Sequence, residues 1–392
     1  MELRNLRPDE FDINLELSMY AFQFSLPAEQ LEKSRARFKP ERVWGVFEDG
    51  KLEAQLTLIP FQMYVQGRAI AMGGIAGVAT WPEHRRRGHV ELLLRHSLRR
   101  MRENGQSISC LHPFSFGFYR KFGWETYTDY KKYTVETTLF PPRVAVDGNV
   151  VRMGEYDIQL LSRIYENYAS GYNGTLARDE DWWRNSVLRS KEGNIAVYYR
   201  PDGAAAGYIL YKVAQRVMTI HEMVYEDEQA RQGLWTYIAN HDSMVDKAVL
   251  NAPLDDPLPY LLPNPRIGQE IVPYFMARIV DTEEFIRQYQ FNEADSERRI
   301  ILQLSDPYAP WNEGIWSLSA AGDGSGRLER LQDDEEHPVD LVCDINTWTA
   351  LLMGYRRPAQ LHGLGRLGGS SEAAALLETL IRPRQTYLMD FF

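Results

Sequence analysis

Apolar residues recur at Val90, Leu93, Leu94, Leu98 and Met101, while Arg95, Arg99 and Arg102 fall between them. That is the spacing of a helix with one buried face, and Asn104-Gly105 ends it. The pattern upstream has the shorter period of strands. Residues 42–48 and 52–65 read as two strands joined through the turn Glu48-Asp49-Gly50-Lys51. Residues 71–80, AMGGIAGVAT, form a strand so rich in small residues that something is expected to approach its backbone closely. After the helix, 107–111 is a short apolar strand. Strand, helix and strand make a βαβ unit and predict a parallel pair. A further helix, entered through Pro27, is expected over 27–38.

Pro141-Pro142 marks a boundary. Beyond it, 204–214 and 216–225 read as neighbouring strands and 233–245 as a helix. Placing Gly233 under Gly88 lays EQARQGLWTYIA under EHRRRGHVELLL. Each has a polar loop, an arginine two residues before the glycine, and a helix after it. This predicts a decayed internal duplication. The second copy keeps only Arg231 and has no glycine-rich strand. The last block begins with a helix over 282–288 and passes into alternating strands with a turn at 321–326. Helices over 345–353 and 371–381 flank a glycine-rich loop, 363–369. Asp333-Asp334-Glu335-Glu336 reads as a solvated loop, because adjacent like charges repel when buried. The final Phe391-Phe392 predicts a tail that is tied down. The expected organisation is α+β, in three domains: 1–140, 143–282 and 283–392.

Length and composition agree with a multi-domain globular protein: 392 residues, 44% hydrophobic and 25% charged. A net charge of −10 argues against a nucleic-acid surface. No apolar run reaches ~18 residues, so no membrane span is expected. The start, MELRNLRPDEFD, is no secretory signal, and the distant Cys110 and Cys343 suit a reducing cytoplasm. No His/Cys cluster has zinc spacing, so no metal is expected.

The chemistry concentrates in Arg85-Arg86-Arg87-Gly88. A helix start leaves ~four backbone N–H groups unpaired and carries partial positive charge, so it binds phosphate. Gly88 lets backbone approach an anion, and the guanidinium groups add charge-assisted hydrogen bonds. Three arginines and these amides suit a pyrophosphate. The chain lacks the Gly-x-x-x-x-Gly-Lys pattern of ATP loops. Its Gly-x-Gly-x-x-Gly at 363–368 follows no clear strand and reads as a plain loop.

With its preceding strand and following helix, this loop resembles the acetyl-CoA motif of the GNAT acetyltransferase superfamily, Arg/Gln-x-x-Gly-x-Gly/Ala. Arg85, Arg86, Arg87, Gly88 and His89 fill it; Val90 departs from the last small position. That departure, the segment Gly117-Phe118-Tyr119-Arg120-Lys121-Phe122-Gly123-Trp124, the three blocks and the aromatic terminus resemble the enhanced intracellular survival (Eis) branch. The resemblance implies two GNAT folds, the second degenerate, followed by a sterol-carrier-protein-like domain. It implies acetyl-CoA as co-substrate, bound by Val78, Ala79 and Thr80 along the pantetheine, by Arg85 through Glu91 at the pyrophosphate, and by Phe114 and Ser115. It implies Tyr119 as general acid and the Phe392 carboxylate as general base. The acceptor would be a small-molecule amine, aminoglycoside-like or polyamine, or a lysine side chain. The assembly would be a homo-hexamer.

Among other candidates, His84 and His89 read as positional, His112 as a strand-end residue that could touch a ligand, and Cys110 as core. Trp182-Trp183 packs a helix or lines the acceptor pocket. Gln23 stands where aminoglycoside-active members carry an acid. The competing expectation is a non-catalytic acyl-CoA or lipid binding protein.

Overall fold

The computed structural model describes residues 1–332 and 338–392, so the acidic run 333–336 lies outside the described residues. The first part of the chain forms β1 (Glu2–Asn5), α1 (Phe11–Phe22), α2 (Ala28–Ala36), β2 (Val43–Glu48), β3 (Lys51–Val65), β4 (Arg68–Thr80), α3 (His89–Glu103), β5 (Ile108–Leu111), α4 (Phe116–Arg120) and β6 (Glu125–Glu136). The middle adds β7 (Asn149–Arg152), α5 (Ile158–Ala169), β8 (Leu176–Ala177), β9 (Asn194–Tyr199), β10 (Ala205–Ala214), β11 (Val217–Tyr225), a helix over Glu228–Ala239, β12 (Lys247–Ala252) and β13 (Gly268–Ile279). No helix among the described residues is long and apolar enough to cross a membrane.

These strands join one sheet in the order β1-β2-β3-β4-β5-β13-β6-β12-β11-β10-β9-β7, with β8 on β3. The order is symmetric about β13 and β6. β4 pairs β5 in parallel, as the βαβ pattern predicts, and β11 pairs β12 in parallel likewise. β13 crosses over to pair with β5, and β6 crosses to pair with β12. Each half therefore receives its closing strand from the other, which bears out the duplication as a fold.

The register of that duplication needs correction. The middle helix begins at Glu228, not Gly233, and ends at Ala239. Its N-cap is Asp227, whose side chain accepts the Ala230 N–H at 2.8 Å. Gly233 lies inside the helix, where a Cβ would come within 2.6 Å of the Tyr198 ring. It is glycine for helix-to-sheet packing and so does not correspond to Gly88. The connection between β4 and α3 spans 81–88, whereas that between β11 and its helix is only 226–227. In the second copy a carboxylate of the chain itself sits where an anion would bind.

α1 was not among the expected elements. It buries Phe11, Leu15 and Leu17 but exposes Ile13, Tyr20 and Phe22, which blurs its periodicity. α3 seats Leu93, Leu94, Leu98 and Met101 on Val46, Leu56, Leu58 and Ile75, each buried side chain contributing about 1.5–3 kcal/mol. The glycines of β4 admit close neighbours, as expected. A Cβ on Gly73 would strike the Met101 side chain, and one on Gly74 would strike the rings of Phe61 and Phe392.

The last part forms a second sheet from β14 (Arg298–Ser305), β15 (Gly314–Ala320), β16 (Gly326–Arg330), β17 (Leu341–Asp344) and β18 (Gly368–Gly369), in the order β16-β15-β14-β17-β18. Helices over Thr282–Gln288, Ile345–Leu352, Pro358–Gly363 and Ser371–Leu380 accompany it. The Gly-x-Gly-x-x-Gly stretch is the end of one helix, a turn and the start of β18. Several polar contacts dock this domain on the large sheet. Arg278 of β13 pairs with Asp306 at 2.7 Å, both buried. Asn346 donates to the carbonyls of Arg120 and Trp124, at 3.1 and 3.0 Å, and so braces the segment just after Tyr119.

Candidate active site

β4 and β5 pair only through Ile75 and Leu111. Past that point, Ala79 and Thr80 remain paired to β3 on one side, Val78 lies in a register shift against it, and their other edge faces an open wedge. The parting begins at Gly77, whose φ of 58° coincides with a register shift against β3. An extended ligand entering the wedge would meet unpaired backbone.

The wedge leads to the arginine loop. Arg85, Arg86 and Arg87 are exposed, and among the described residues none of their guanidinium groups has an ion-pair or hydrogen-bond partner. Arg86 takes φ 64°, a left-handed conformation that costs a non-glycine residue about 1–2 kcal/mol. Gly88, at φ 84°, is the N-cap of α3 and supplies no capping side chain. The N–H groups of the first turn, from His89, Val90 and Glu91, therefore have no side-chain cap. Exposed, unpaired cations next to an uncapped helix start fit a diphosphate. The side chains of His89 and Glu91 turn elsewhere: His89 is buried against Glu53, and Glu91 pairs with Arg95 at 3.0 Å. Those two positions can offer backbone to the loop.

Tyr119 lies on α4, whose N-cap is Ser115; the Ser115 Oγ accepts the Phe118 N–H at 3.4 Å. Tyr119 is 3% exposed and is boxed by the rings of Phe118 at 5.2 Å and Phe114 at 5.3 Å. Its hydroxyl has no hydrogen-bond partner among the described residues. Burial pushes that hydroxyl well above the usual phenol range, so it stays protonated. Phe114 is 71% exposed at the mouth of this box, a large apolar surface open to a ligand.

The C-terminus is tied down, as the paired phenylalanines predict. The Phe392 ring packs between Phe61 and Phe275, each with centroid at 4.8 Å, and over Gly74 of β4. Phe391 is 62% exposed, with His112 at 4.9 Å. Asp390 accepts from Arg178 Nε at 3.0 Å and from Trp182 Nε1 at 2.9 Å, and its carbonyl accepts the Tyr274 hydroxyl at 2.9 Å. Lys191 donates to the Met389 carbonyl at 2.8 Å. Behind them, Arg178 and Lys191 both pair with buried Glu222. Burial would raise the Glu222 carboxyl, but these two cations outweigh it and hold it at about 2.

Comparison with known proteins gives this geometry its context. Residues 2–127 and 174–279 each match an acetyltransferase (GNAT) domain, and 282–389 match a sterol carrier protein domain. An uncharacterised N-acetyltransferase of Streptomyces coelicolor is 26% identical, with 97% of this chain and 96% of that protein aligned. The N-acetyltransferase Eis of Mycobacterium tuberculosis is 24% identical over 75% of this chain and 73% of its own. The chain belongs to the Eis-like GNAT N-acetyltransferases. A probable N-acyltransferase from Enterococcus faecalis V583 superposes with a TM-score of 0.92 at 28% identity, covering 100% of this chain and 99% of that one. Eis1 of Mycobacterium abscessus, at 21% identity, shares the fold with a TM-score of 0.82 over both full chains. Enzymes of the GNAT type use acetyl-CoA.

In this acetyltransferase a cavity of about 1080 Å³ opens beside the tail. It follows the edge of β3 between its last pairing with β2, at Thr57, and its first with β8, at Gln62. Phe61 and Trp182 line it and are the same rings that hold Phe392 and Asp390. Its rim carries both signs: Glu41, Asp179 and Asp181 against Arg42 and Arg100. The two tryptophans divide the expected roles, since Trp183 is core against Tyr165 while Trp182 faces the cavity. Cys110 is core, with burial raising its thiol. Gln23 is the exposed C-cap of α1, at φ 55°. His112 stands beside Phe391, and burial lowers its pKa, which favours the neutral ring.

Sequence reasoning missed Glu53, Arg178, Lys191, Tyr274 and Asp390. A lone acid in apolar β3 and a lone acid in the aromatic tail were the available signals. Their partners are too distant in sequence for spacing to reveal.

Proposed function

We propose that this acetyltransferase moves an acetyl group directly from acetyl-CoA to a primary amine, on a small molecule or a lysine side chain. One observation carries the reading. Three unpartnered arginines stand on an uncapped helix, and the open edge of β4 leads from them to the place where Phe392 packs. From Thr80 back to Ile75, where β5 closes the wedge, the strand rises roughly 16 Å at ~3.3 Å per residue, comparable with an extended pantetheine arm. When bound, the coenzyme supplies the activated acyl group.

The residues of the chain do the rest. Arg85–Arg87 and the first-turn amides neutralise the diphosphate. The backbone of Val78, Ala79 and Thr80 aligns the pantetheine, and Phe114 covers it. Tyr119 keeps its proton and donates a hydrogen bond to the leaving sulfur. Burial makes complete proton transfer from this phenol steeper, so its contribution is to stabilise developing thiolate charge. The Phe392 carboxylate accepts the proton that the amine nitrogen gives up as the C–N bond forms and the C–S bond breaks; the thiolate leaves and takes its proton from water. In water the carboxylate's pKa near 3.5 would make it a feeble base; a carboxylate shielded from water beside the rings that hold Phe392 would be a stronger one.

The cavity beside the tail admits the amine. Its mixed rim and the neutral Gln23 favour an acceptor with one or two charges over a polycation. The test is acetyl-CoA consumption with a panel of lysine peptides, simple amines, polyamines and aminoglycosides. Turnover is expected, fastest with the lysine-like amines. No turnover with any amine, alongside binding of acetyl-CoA, would favour a non-catalytic acyl-CoA binding protein.

A further inference from the structure

Glu53 lies on β3 beneath the arginine loop and is 4% exposed. Three points of the loop converge on it. Its carbonyl accepts the Trp81 N–H at 3.1 Å. Its carboxylate lies 3.1 Å from His84 Nδ1 and 2.7 Å from His89 Nε2. Neither imidazole contact has good hydrogen-bond alignment, so the two rings are held as close polar neighbours of the carboxylate. His84 immediately precedes the arginines, and His89 follows Gly88. The whole run Arg85-Arg86-Arg87-Gly88 is thus strung between two rings seated on one carboxylate.

The backbone between those anchors is strained at Arg86, whose φ is positive, while Gly88 takes its positive φ freely. Such conformations persist where the surroundings over-determine them. A buried carboxylate is a costly way to fill space, and an apolar residue or a glutamine would pack there at lower cost. Its placement makes sense as an anchor.

We propose that Glu53 is a positioning residue for the coenzyme. It does not touch the ligand. Through His84 and His89 it holds the loop in the shape that turns the arginines and the α3 amides toward a single anion. This rests on the reading of the loop as the pyrophosphate site, and the test separates the two.

Steady-state kinetics of the full chain are compared for two donors, acetyl-CoA and S-acetylpantetheine, which has the thioester and arm but no pyrophosphate. Glu53→Gln is expected to raise the KM for acetyl-CoA about 10- to 100-fold with kcat little changed. The KM for S-acetylpantetheine should move less than about twofold, since that donor makes no use of the loop. His84→Ala removes one anchor at a partly exposed position and should shift the same ratio in the same direction; it decides the matter if Glu53→Gln does not fold. A wild-type enzyme that uses both donors with equal KM overturns the pyrophosphate site itself, and the inference with it. A wild-type enzyme that prefers acetyl-CoA, with both variants keeping that preference undiminished, overturns the role of Glu53 alone.

Discussion

Arg178 and Asp390 join the middle of the chain to its end. Arg178 Nε lies 3.0 Å from Asp390 Oδ1 and 3.2 Å from Oδ2, in a place closed to water on both sides. Phe392 begins two residues later, so this pair fixes where the terminal carboxylate can lie. Asp390→Asn weakens a buried ion pair and should destabilise the protein by about 3 kcal/mol, while tail misplacement lowers kcat at least roughly tenfold. Thermal unfolding and initial rates on one preparation check both. A lower Tm with full kcat would mean that the pair supports the fold without aiming the tail.

Two glycines appended after Phe392 move the carboxylate and leave the phenylalanine rings in place. kcat should fall about 10²- to 10⁴-fold, the range for losing a general base. The Kd for acetyl-CoA and the Tm should hold. Unchanged kcat would remove the carboxylate from the reaction.

Tyr119→Phe keeps the aromatic box of Phe114 and Phe118 and deletes only the hydroxyl. Its expected signature is a kcat lower by about 10²-fold with little change in the KM for acetyl-CoA. Because burial raises this phenol, the wild-type rate should show no alkaline loss attributable to Tyr119 below about pH 10. A pH–rate profile whose alkaline limb near neutrality disappears in Tyr119→Phe would contradict that.

Glu222 makes stability depend on acid. Its carboxyl is held at about 2 in the folded protein, against about 4.3 unfolded. A depressed carboxyl stabilises fully above the unfolded value, and the stabilisation fades as pH falls through that value toward the folded one. The denaturant midpoint of wild type should therefore exceed that of Glu222→Gln most at pH 6, with the gap closing between about pH 4 and pH 2. A gap independent of pH would mean that the pairing with Arg178 and Lys191 is not what holds the charge.

How far the sequence foretold this depended on distance along the chain. The parallel pair of β4 and β5, α3 and the arginine loop are local features, and their spacing located them within a few residues. Tyr119 stood out only through the resemblance of the segment 117–124 to the family. The helix expected from Gly233 begins five residues earlier for a physical reason: Asp227 caps it, and the glycine serves helix-to-sheet packing rather than a loop end. α1 escaped notice because its exposed Tyr20 and Phe22 hide its period. The exchange of β6 and β13 between the halves was not legible, nor were Glu53 beneath two histidines and Arg178 beneath the tail. Each joins residues that only the folded chain brings together, and no periodicity encodes the partner.

Calorimetric titration of coenzyme A into the wild-type chain and into a double variant, Arg86→Ala with Arg87→Ala, tests the arginine loop most directly. Loss of two charge-assisted contacts should raise Kd by about 30-fold or more, roughly 2 kcal/mol. The same Kd for both proteins would contradict the loop as the seat of the coenzyme.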